Sequence, residues 1–475
     1  MKFPDRIYLG GQWLDRQKRI TVTNPFNDSA VASVAAASED DYRTAITLAE
    51  QAFTLTRELP SYRREAICLA IAQGLVENSE RFATTMALEL GKAVKECRTE
   101  VNRAIGVFKT AAEEAKRIGG EVVDLDWSAG NEERMGLVRR FPRGVIAGIS
   151  PFNFPLNLVA HKIAPAIASG NTIVLKPASK TPLSALLLAE LIDATDLPKG
   201  AVSILPGSAK DASPLITDER VKLITFTGSS EVGWLIKQQA GKKPVVLELG
   251  GNAGVIVADD ANLEFAATRL VTGAFGVAGQ SCISVQRIFV HQTVFDSFLK
   301  LYQEKIGQIR LGNPLDPATD IGTMVDQAAI ENALSLIADA VNNGAKLITG
   351  GKAEGKILQP TVLTNVKRTL DICRKEAFAP LVVVDTYTNF ADAVAAINDS
   401  EFGLQAGVFT NRMADVMYAF KQIECGGVII NDVPTWRADH QPYGGMKHSG
   451  IGREGIKYAI EDMTEIKFMA MNLKR

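Results

Sequence analysis

From Val145 onward, short β-branched apolar runs alternate with helical stretches, and this rhythm limits the fold more than any other feature of the chain. VIAGIS (145–150) precedes a helix beginning near Leu156, and TIVLKP (172–177) precedes one near Ser184. VSILPG, KLITFTG and VVLELG carry the series on to Gly250. Unbroken apolar runs suit strands covered on both faces, so the pattern predicts βαβ units and a parallel sheet. A second series, GVIVADD, RIFVHQ, LVVVDTY and GVIIND, runs from about Gly254 to Asn431, with helical stretches over 261–278 and 295–309. It predicts a second α/β domain.

Ahead of the first series, Ser38-Glu39-Asp40-Asp41 reads as a capping box opening a helix, and two or three more helices follow to about Ile118. Two pieces fit neither domain. Residues 120–142 read as two strands around a polar turn, and TEIKFMAMNLK, from Thr464, reads as another strand. Unpaired edges of this kind invite pairing with a second subunit. A hairpin folded back on its own sheet is the alternative.

At 475 residues and 46% hydrophobic, the chain can bury large cores in two or three domains. Its 52 basic and 54 acidic residues leave a net charge of −2, with no electrostatic pull toward nucleic acid or an anionic membrane. MKFPDRIYLGGQW lacks the apolar core of a secretory signal, and no stretch reaches the ~20 apolar residues of a membrane span. A cytoplasmic protein is expected. The five cysteines and four histidines are scattered, so neither a disulfide framework nor a metal centre is expected.

Several segments carry polar residues suited to chemistry. In KLITFTGSSEVG, an apolar strand runs into Gly228, Ser229 and a helix, whose unpaired N–H groups suit a phosphate. A plain turn is the competing reading. Lys176 ends another strand, where ligands of open parallel sheets collect, or is a solvated strand-end lysine. Cys282, in Gly279-Gln-Ser-Cys282, sits among small polar residues as a nucleophile needs, or is a small buried turn residue. Glu248, between an apolar strand and two glycines, suits a general base for water, or is a loop carboxylate. Asn153, on the proline-stiffened loop SPFNFP, suits an oxyanion donor, or is a turn asparagine.

Taken together and in order, PFNFP, LKPAS, FTGSSEVG, LELGG, GQSC, KEAFAP and PYGGMKHSGIGREG closely resemble the aldehyde dehydrogenase superfamily, from about residue 5 to the tail. The resemblance implies an α/β fold with a Rossmann-like cofactor domain (1–119 and 143–250), an α/β catalytic domain (251–435) and a β-hairpin oligomerisation arm with its tail strand (120–142 and 462–475). It implies a homodimer or homotetramer that oxidises a small-molecule aldehyde to the acid. Cys282 resembles the nucleophile, Glu248 the base for the deacylating water, Asn153 the oxyanion donor and Lys162 a lysine tied to proton movement. The cofactor, NAD or NADP, would meet Ile149, Ser150, Phe152, Lys176, Ser179, Lys180, Gly207, Phe226, Thr227, Gly228, Ser229, Val232 and Leu249. Glu376 and Phe378 would take its nicotinamide ribose.

Phe152 and Ala379 depart from the tryptophan and glycine common in the family without removing a reacting group. Ser179 stands where NAD-selective members carry glutamate, and Lys180 follows it, which favours NADP. His161 and Gly276 stand where succinate-semialdehyde enzymes carry arginines, which speaks against that substrate. Trp436, Arg437 and His440 lie in the loop resembling the substrate-pocket wall. Arg437 could pair with a substrate anion, or be a surface arginine at the rim. The expected substrate is a small polar aldehyde, hydroxylated or anionic. Acyl transfer to coenzyme A and a non-catalytic role are the rival readings. Glu248 argues against the first, and the joint presence of Cys282, Glu248 and Asn153 against the second.

Overall fold

The computed structural model describes residues 2–474; positions 1 and 475, the outermost of the expected segments 1–119 and 462–475, lie outside the described residues. Five parallel strands form the heart of an eight-stranded sheet: Val145–Ile149, Thr172–Lys176, Val202–Ile204, Val221–Thr227 and Val245–Glu248. Numbered by sequence within this set, their spatial order is third, second, first, fourth, fifth. The order reverses between Val145–Ile149 and Val221–Thr227, and ligands of doubly wound sheets bind beyond the carboxyl ends at such a reversal. Residues 150–153 and 227–229 leave the sheet there.

These strands read as unbroken apolar runs because helices cover both faces. On one face, Ser61–Glu77, Val94–Ala115, Asn157–Ser169 and Leu183–Asp193 bury a continuous core around Ile146, Ile173 and Leu223. On the other, Tyr42, Ile46 and Ala49 of helix Glu39–Thr56 pack on Ala147, Val174 and Ile224. That helix opens with the expected capping box: Ser38 Oγ accepts the Asp41 N–H at 3.3 Å and Asp41 Oδ2 accepts the Ser38 N–H at 2.9 Å.

A seven-stranded sheet follows, in the spatial order Lys346–Thr349, Thr361–Thr364, Leu381–Tyr387, Val285–His291, Ala253–Val257, Gln405–Phe409, Gly427–Ile430. All its pairings are parallel except that of Lys346–Thr349. The chain then returns to the first sheet. Gly450–Ile451 pairs antiparallel with Leu247–Glu248, and helix Ile456–Asp462 packs on the first core. The hairpin strands Gly120–Asp124 and Arg134–Pro142 join Thr464–Asn472 in a separate three-stranded antiparallel sheet, with the long Arg134–Pro142 in the middle. The tail strand is therefore an open edge, and Ile466 and Phe468 stand exposed on it.

Four strands between Ile7 and Ala35 form ahead of the first helix where no element is expected. Ile7–Leu9 and Gln12–Leu14 form a hairpin across Gly10-Gly11, both left-handed, and extend the first sheet through Tyr8 beside Ile204.

Candidate active site

The reversal point of the first sheet and the amino ends of the second sheet's strands face one another across a cavity of about 590 Å³. Cys282, Glu248 and Asn153 all line it, as do Phe152, Thr227, Gly228, Ser229, Leu249, Glu376, Phe378, Trp436 and Arg437. These residues come from segments far apart in the chain.

Cys282 follows an unusual turn. Val277 and Ala278 both have φ near +54°, and Gly279 follows at +69°. Two consecutive left-handed residues with side chains, one β-branched, are strained and persist only where neighbours enforce them. Here Glu96 Oε1 accepts the Val277 N–H at 2.8 Å, and Gln280 Nε2 donates to Val277 O at 3.2 Å. Asn153 Nδ2 donates to Gln280 O at 2.9 Å, which fixes the asparagine to the segment carrying Cys282. Gly251 lies against the same segment, where a Cβ would come 2.0 Å from Cys282 O. The thiol is half-buried and 3.2 Å from the Tyr443 hydroxyl. Burial pushes it up to about 12, the Tyr443 hydrogen bond opposes this, and the Glu376 and Glu248 carboxyls add to it.

Glu248 ends strand Val245–Glu248, and both its carboxyl oxygens are buried without a partner among the described residues. It is no surface carboxylate. Burial, then the charge of Glu454, pushes it well above the usual carboxylate range. Glu454 lies lower. Against the effect of burial, Lys162 at 3.5 Å and Arg437 at 3.1 Å hold it at about 2. Lys162 lies behind the cavity wall, on the wholly buried helix Asn157–Ser169, and donates to Thr227 Oγ1 at 2.7 Å and Thr225 Oγ1 at 3.3 Å. Burial lowers its ammonium, with Glu454 and Glu248 opposing.

The expected cofactor positions divide. Gly228 opens the approach to helix Ser230–Gln239, where a Cβ would meet the Phe226 ring at 2.5 Å. Ser229 is the N-cap and its side chain makes no cap bond, so the first-turn N–H groups stay open. Glu376 Oε1 accepts the Gly251 N–H at 2.9 Å, while burial raises the carboxyl to about 7. Phe378 meets Phe152 edge to face at 5.9 Å between centroids. Ile149, Ser150, Lys176, Ser179, Lys180, Gly207, Phe226 and Val232 do not line the cavity. Lys176 is buried and, among the described residues, donates only to Pro177 O, at 3.3 Å. Ser179 Oγ donates to Gly207 O at 2.9 Å, and Lys180 pairs with Asp326. Val232 is exposed on its helix.

The substrate-loop residues also separate. Trp436 is half-exposed at the cavity rim. Arg437 is no rim arginine: it is buried, paired with Glu454, and its guanidinium carbon lies 3.7 Å from the Tyr443 ring centroid. His440 is exposed and does not line the cavity, because the turn closed by Gln441 N–H to Ala438 O at 3.1 Å faces it outward. The histidine behind the site is His161, whose Nε2 lies 3.0 Å from Asp439 Oδ1. Asp439 also accepts from Arg103 at 2.6 Å. Sequence reasoning missed Tyr443, Glu454, Glu96, Arg103 and Asp439. For Tyr443 and Glu454 the signal was the run PYGGMKHSGIGREG, which contains both.

The chain matches the family model described as the aldehyde dehydrogenase family over residues 13–469. It is 43% identical over 468 residues to a 3-sulfolactaldehyde dehydrogenase of Priestia aryabhattai, covering 98% of each chain. Among solved structures it resembles aldehyde dehydrogenase 21 from Physcomitrella patens in complex with the reaction product succinate. The TM-score is 0.97 and the identity 43%, over 99% of this chain and 98% of that one. It also resembles a glyceraldehyde-3-phosphate dehydrogenase of Methanocaldococcus jannaschii complexed with NADP, with a TM-score of 0.93 and 38% identity, over 97% of this chain and 100% of that one. By its motifs, its two facing sheets and these likenesses, the chain belongs to the aldehyde dehydrogenase family.

Proposed function

We propose that this enzyme oxidises a small anionic aldehyde to its carboxylic acid, with NADP preferred over NAD, through a thioester on Cys282 that water resolves. The observation that carries the reading is the convergence of Cys282, Glu248 and Asn153 on one cavity.

The residues present fit a dinucleotide. A buried lysine without a carboxylate partner among the described residues, Lys176, ends a strand of the first sheet, and an uncapped helix N-terminus opens beside the reversal point. Lys176 would hold the adenosine ribose, Ser229 and its helix the pyrophosphate, and Glu376 the nicotinamide ribose. Ser179 brings no carboxylate to repel a 2′-phosphate. The half-exposed Lys180–Asp326 pair stabilises the fold little, so Lys180 is free to exchange partners. The NADP bound to the M. jannaschii relative supports the same preference.

In the mechanism, the Cys282 thiol passes its proton to the Glu248 carboxylate, and the sulfur attacks the aldehyde carbon. The second Nδ2 proton of Asn153 and the Cys282 backbone N–H receive the oxyanion. When bound, the nicotinamide supplies the hydride acceptor. Glu248, having released that proton to solvent, takes a proton from water as the oxygen attacks the Cys282 thioester. The acid leaves and Cys282 regains its proton. Glu454, Lys162 and Arg437 behind Glu248 absorb the charge change.

Arg103, Arg269 and Arg437 border the cavity and favour a negatively charged substituent on the substrate. Sulfolactaldehyde, glyceraldehyde 3-phosphate and the succinate product named for the three relatives all carry one. His161 and Gly276 alone speak against succinate semialdehyde. The cavity arginines enter from other elements, so that substrate stays within the proposed class.

The open tail strand with Ile466 and Phe468 is read as the surface that joins subunits into a dimer or tetramer. Light scattering at working concentration checks this, and a monomer would contradict it.

The test is an aldehyde panel assayed with NADP and NAD, with and without coenzyme A, for the wild type and Cys282→Ser. Acid formation without coenzyme A, faster with NADP and with anionic aldehydes, and abolished in Cys282→Ser, is the expected result. A strict need for coenzyme A would move the enzyme to acyl transfer, and full activity in Cys282→Ser would end the thioester reading.

A further inference from the structure

We propose that Tyr443 is a catalytic residue whose phenol donates a hydrogen bond to the Cys282 sulfur and stabilises it as the thiolate. The inference rests on Cys282 being the nucleophile. Tyr443 Oη lies 3.2 Å from Cys282 Sγ, and no other hydrogen-bond partner of that sulfur occurs among the described residues. The surroundings otherwise disfavour a negative sulfur. Ile283 and Leu404 pack against Cys282, and the Glu376 and Glu248 carboxyls face it. The Arg437 charge opposes these effects, and its guanidinium lies over the same tyrosine.

The tyrosine is built in firmly. Its backbone exchanges two hydrogen bonds with Glu454, Tyr443 N–H to Glu454 O at 3.0 Å and Glu454 N–H to Tyr443 O at 2.6 Å. The Arg437 guanidinium carbon sits 3.7 Å from its ring centroid, and a cation over the ring withdraws electron density and strengthens the phenol as a donor. Burial holds the phenol well above the ordinary tyrosine range, so it keeps its own proton and remains a donor. The proton that Cys282 loses goes to Glu248, and the tyrosine bond lowers the cost of leaving charge on sulfur.

The size of the effect follows from two opposed terms. A charge-assisted hydrogen bond raises the thiolate fraction about tenfold. Sulfur nucleophilicity falls with basicity at a slope of about 0.4–0.5, which returns part of that gain and leaves about threefold in rate.

The experiment measures iodoacetamide alkylation of Cys282 at neutral pH, with Cys282→Ser as the background for the other four cysteines. Tyr443→Phe keeps the ring and the Arg437 stack and loses only the donor. Its alkylation rate and its kcat/KM for aldehyde should each fall about threefold, with KM for NADP unchanged. The full-length chain carrying 3-fluorotyrosine at position 443, a stronger donor of nearly the same size, should alkylate faster than wild type. Rates rising in the order phenylalanine, tyrosine, fluorotyrosine support the proposal. Equal rates across the three overturn it, as does a fluorotyrosine protein slower than wild type. If Tyr443→Phe does not fold, the comparison of tyrosine with fluorotyrosine decides alone. Full aldehyde oxidation by Cys282→Ser would instead sink the nucleophile itself, so the two failures are distinguishable.

Discussion

Two buried regions flank the cavity, and they handle positive charge in opposite ways. Behind the first sheet, Lys162 and Arg437 are both paired with Glu454, with Glu248 beside them. Beside the second sheet, Arg287 is as deeply buried and pairs with no carboxylate among the described residues. It donates to Asn252 Oδ1 at 2.9 Å, Asn252 O at 3.0 Å, Ala396 O at 2.8 Å and Ile397 O at 3.1 Å. The last two carbonyls lie at the C-terminal end of helix Phe390–Asn398, the negative end of its dipole. Asn252 Nδ2 then donates to Cys373 O at 2.8 Å. Gln286 donates to Lys375 O at 2.6 Å and accepts the Ala377 N–H at 3.0 Å. Together they suspend the loop carrying Glu376 and Phe378. Burial lowers Arg287 only to about 10, so it stays charged at neutral pH. Protons can be redistributed in the first region, where the partners titrate. In the second, where the partners are carbonyls and amides, they cannot. The first is suited to chemistry and the second to holding a shape.

The sharpest way to break this contrast is at Glu248. Glu248→Gln should lower kcat by about 10²–10⁴ and leave no burst of reduced cofactor in rapid mixing, since the thiol and the deacylating water lose the same base. The same change should stabilise the fold. Burial raises Glu248 in the folded state, so its contribution to stability is present below the ordinary glutamate range near pH 4–5 and is lost as pH rises toward its folded value. Thermal melts should show Glu248→Gln matching wild type near pH 4.5 and exceeding it increasingly toward pH 8. A constant offset would contradict the titrating character of this region.

Arg287→Leu comes next in size. It strands several buried carbonyls and should cost about 3 kcal/mol or more. Because none of the partners titrates, the loss should be the same at pH 6 and pH 9, and denaturant unfolding at both checks it. The smallest effect belongs to Arg103, which borders the cavity and reaches the first region through Asp439 and His161. Arg103→Met should raise KM about tenfold for anionic aldehydes and little for neutral ones. Equal changes for both would separate Arg103 from the substrate. Arg437→Met reads the substrate less cleanly, because Glu454 would lose one of its two cations.

What could be read from the sequence follows the same physics. The nine apolar runs behind the two series lie at or beside strands, because parallel strands covered on both faces write unbroken apolar words. Strand Lys346–Thr349 escaped because it is a partly exposed antiparallel edge, and Gln405–Phe409 because a polar residue and a glycine interrupt it. Ile7–Leu9 and Gln12–Leu14 are too short to carry a period. In the site, Cys282, Glu248 and Asn153 each end or follow a readable strand or turn. Tyr443 and Glu454 gain their meaning from contacts 161 and 292 residues away in the chain, with Cys282 and Lys162. No local pattern reports such pairings. The outward turn of His440 and the inward burial of its neighbour Arg437 were likewise beyond reach of spacing alone.

The return of the chain to the first sheet bears on biosynthesis. Gly450 pairs with Glu248, Ser449 Oγ donates to Gly250 O at 2.7 Å, and Glu454 sits behind both. A ribosome that has released everything through the second sheet has therefore made every strand expected from the two apolar series, yet Glu248 still faces water. Only when residues 449–462 clear the exit tunnel is that carboxyl sealed from solvent and its affinity for protons set. Residues 449–462 thus complete the surroundings of Glu248 after the strands of both sheets have been made.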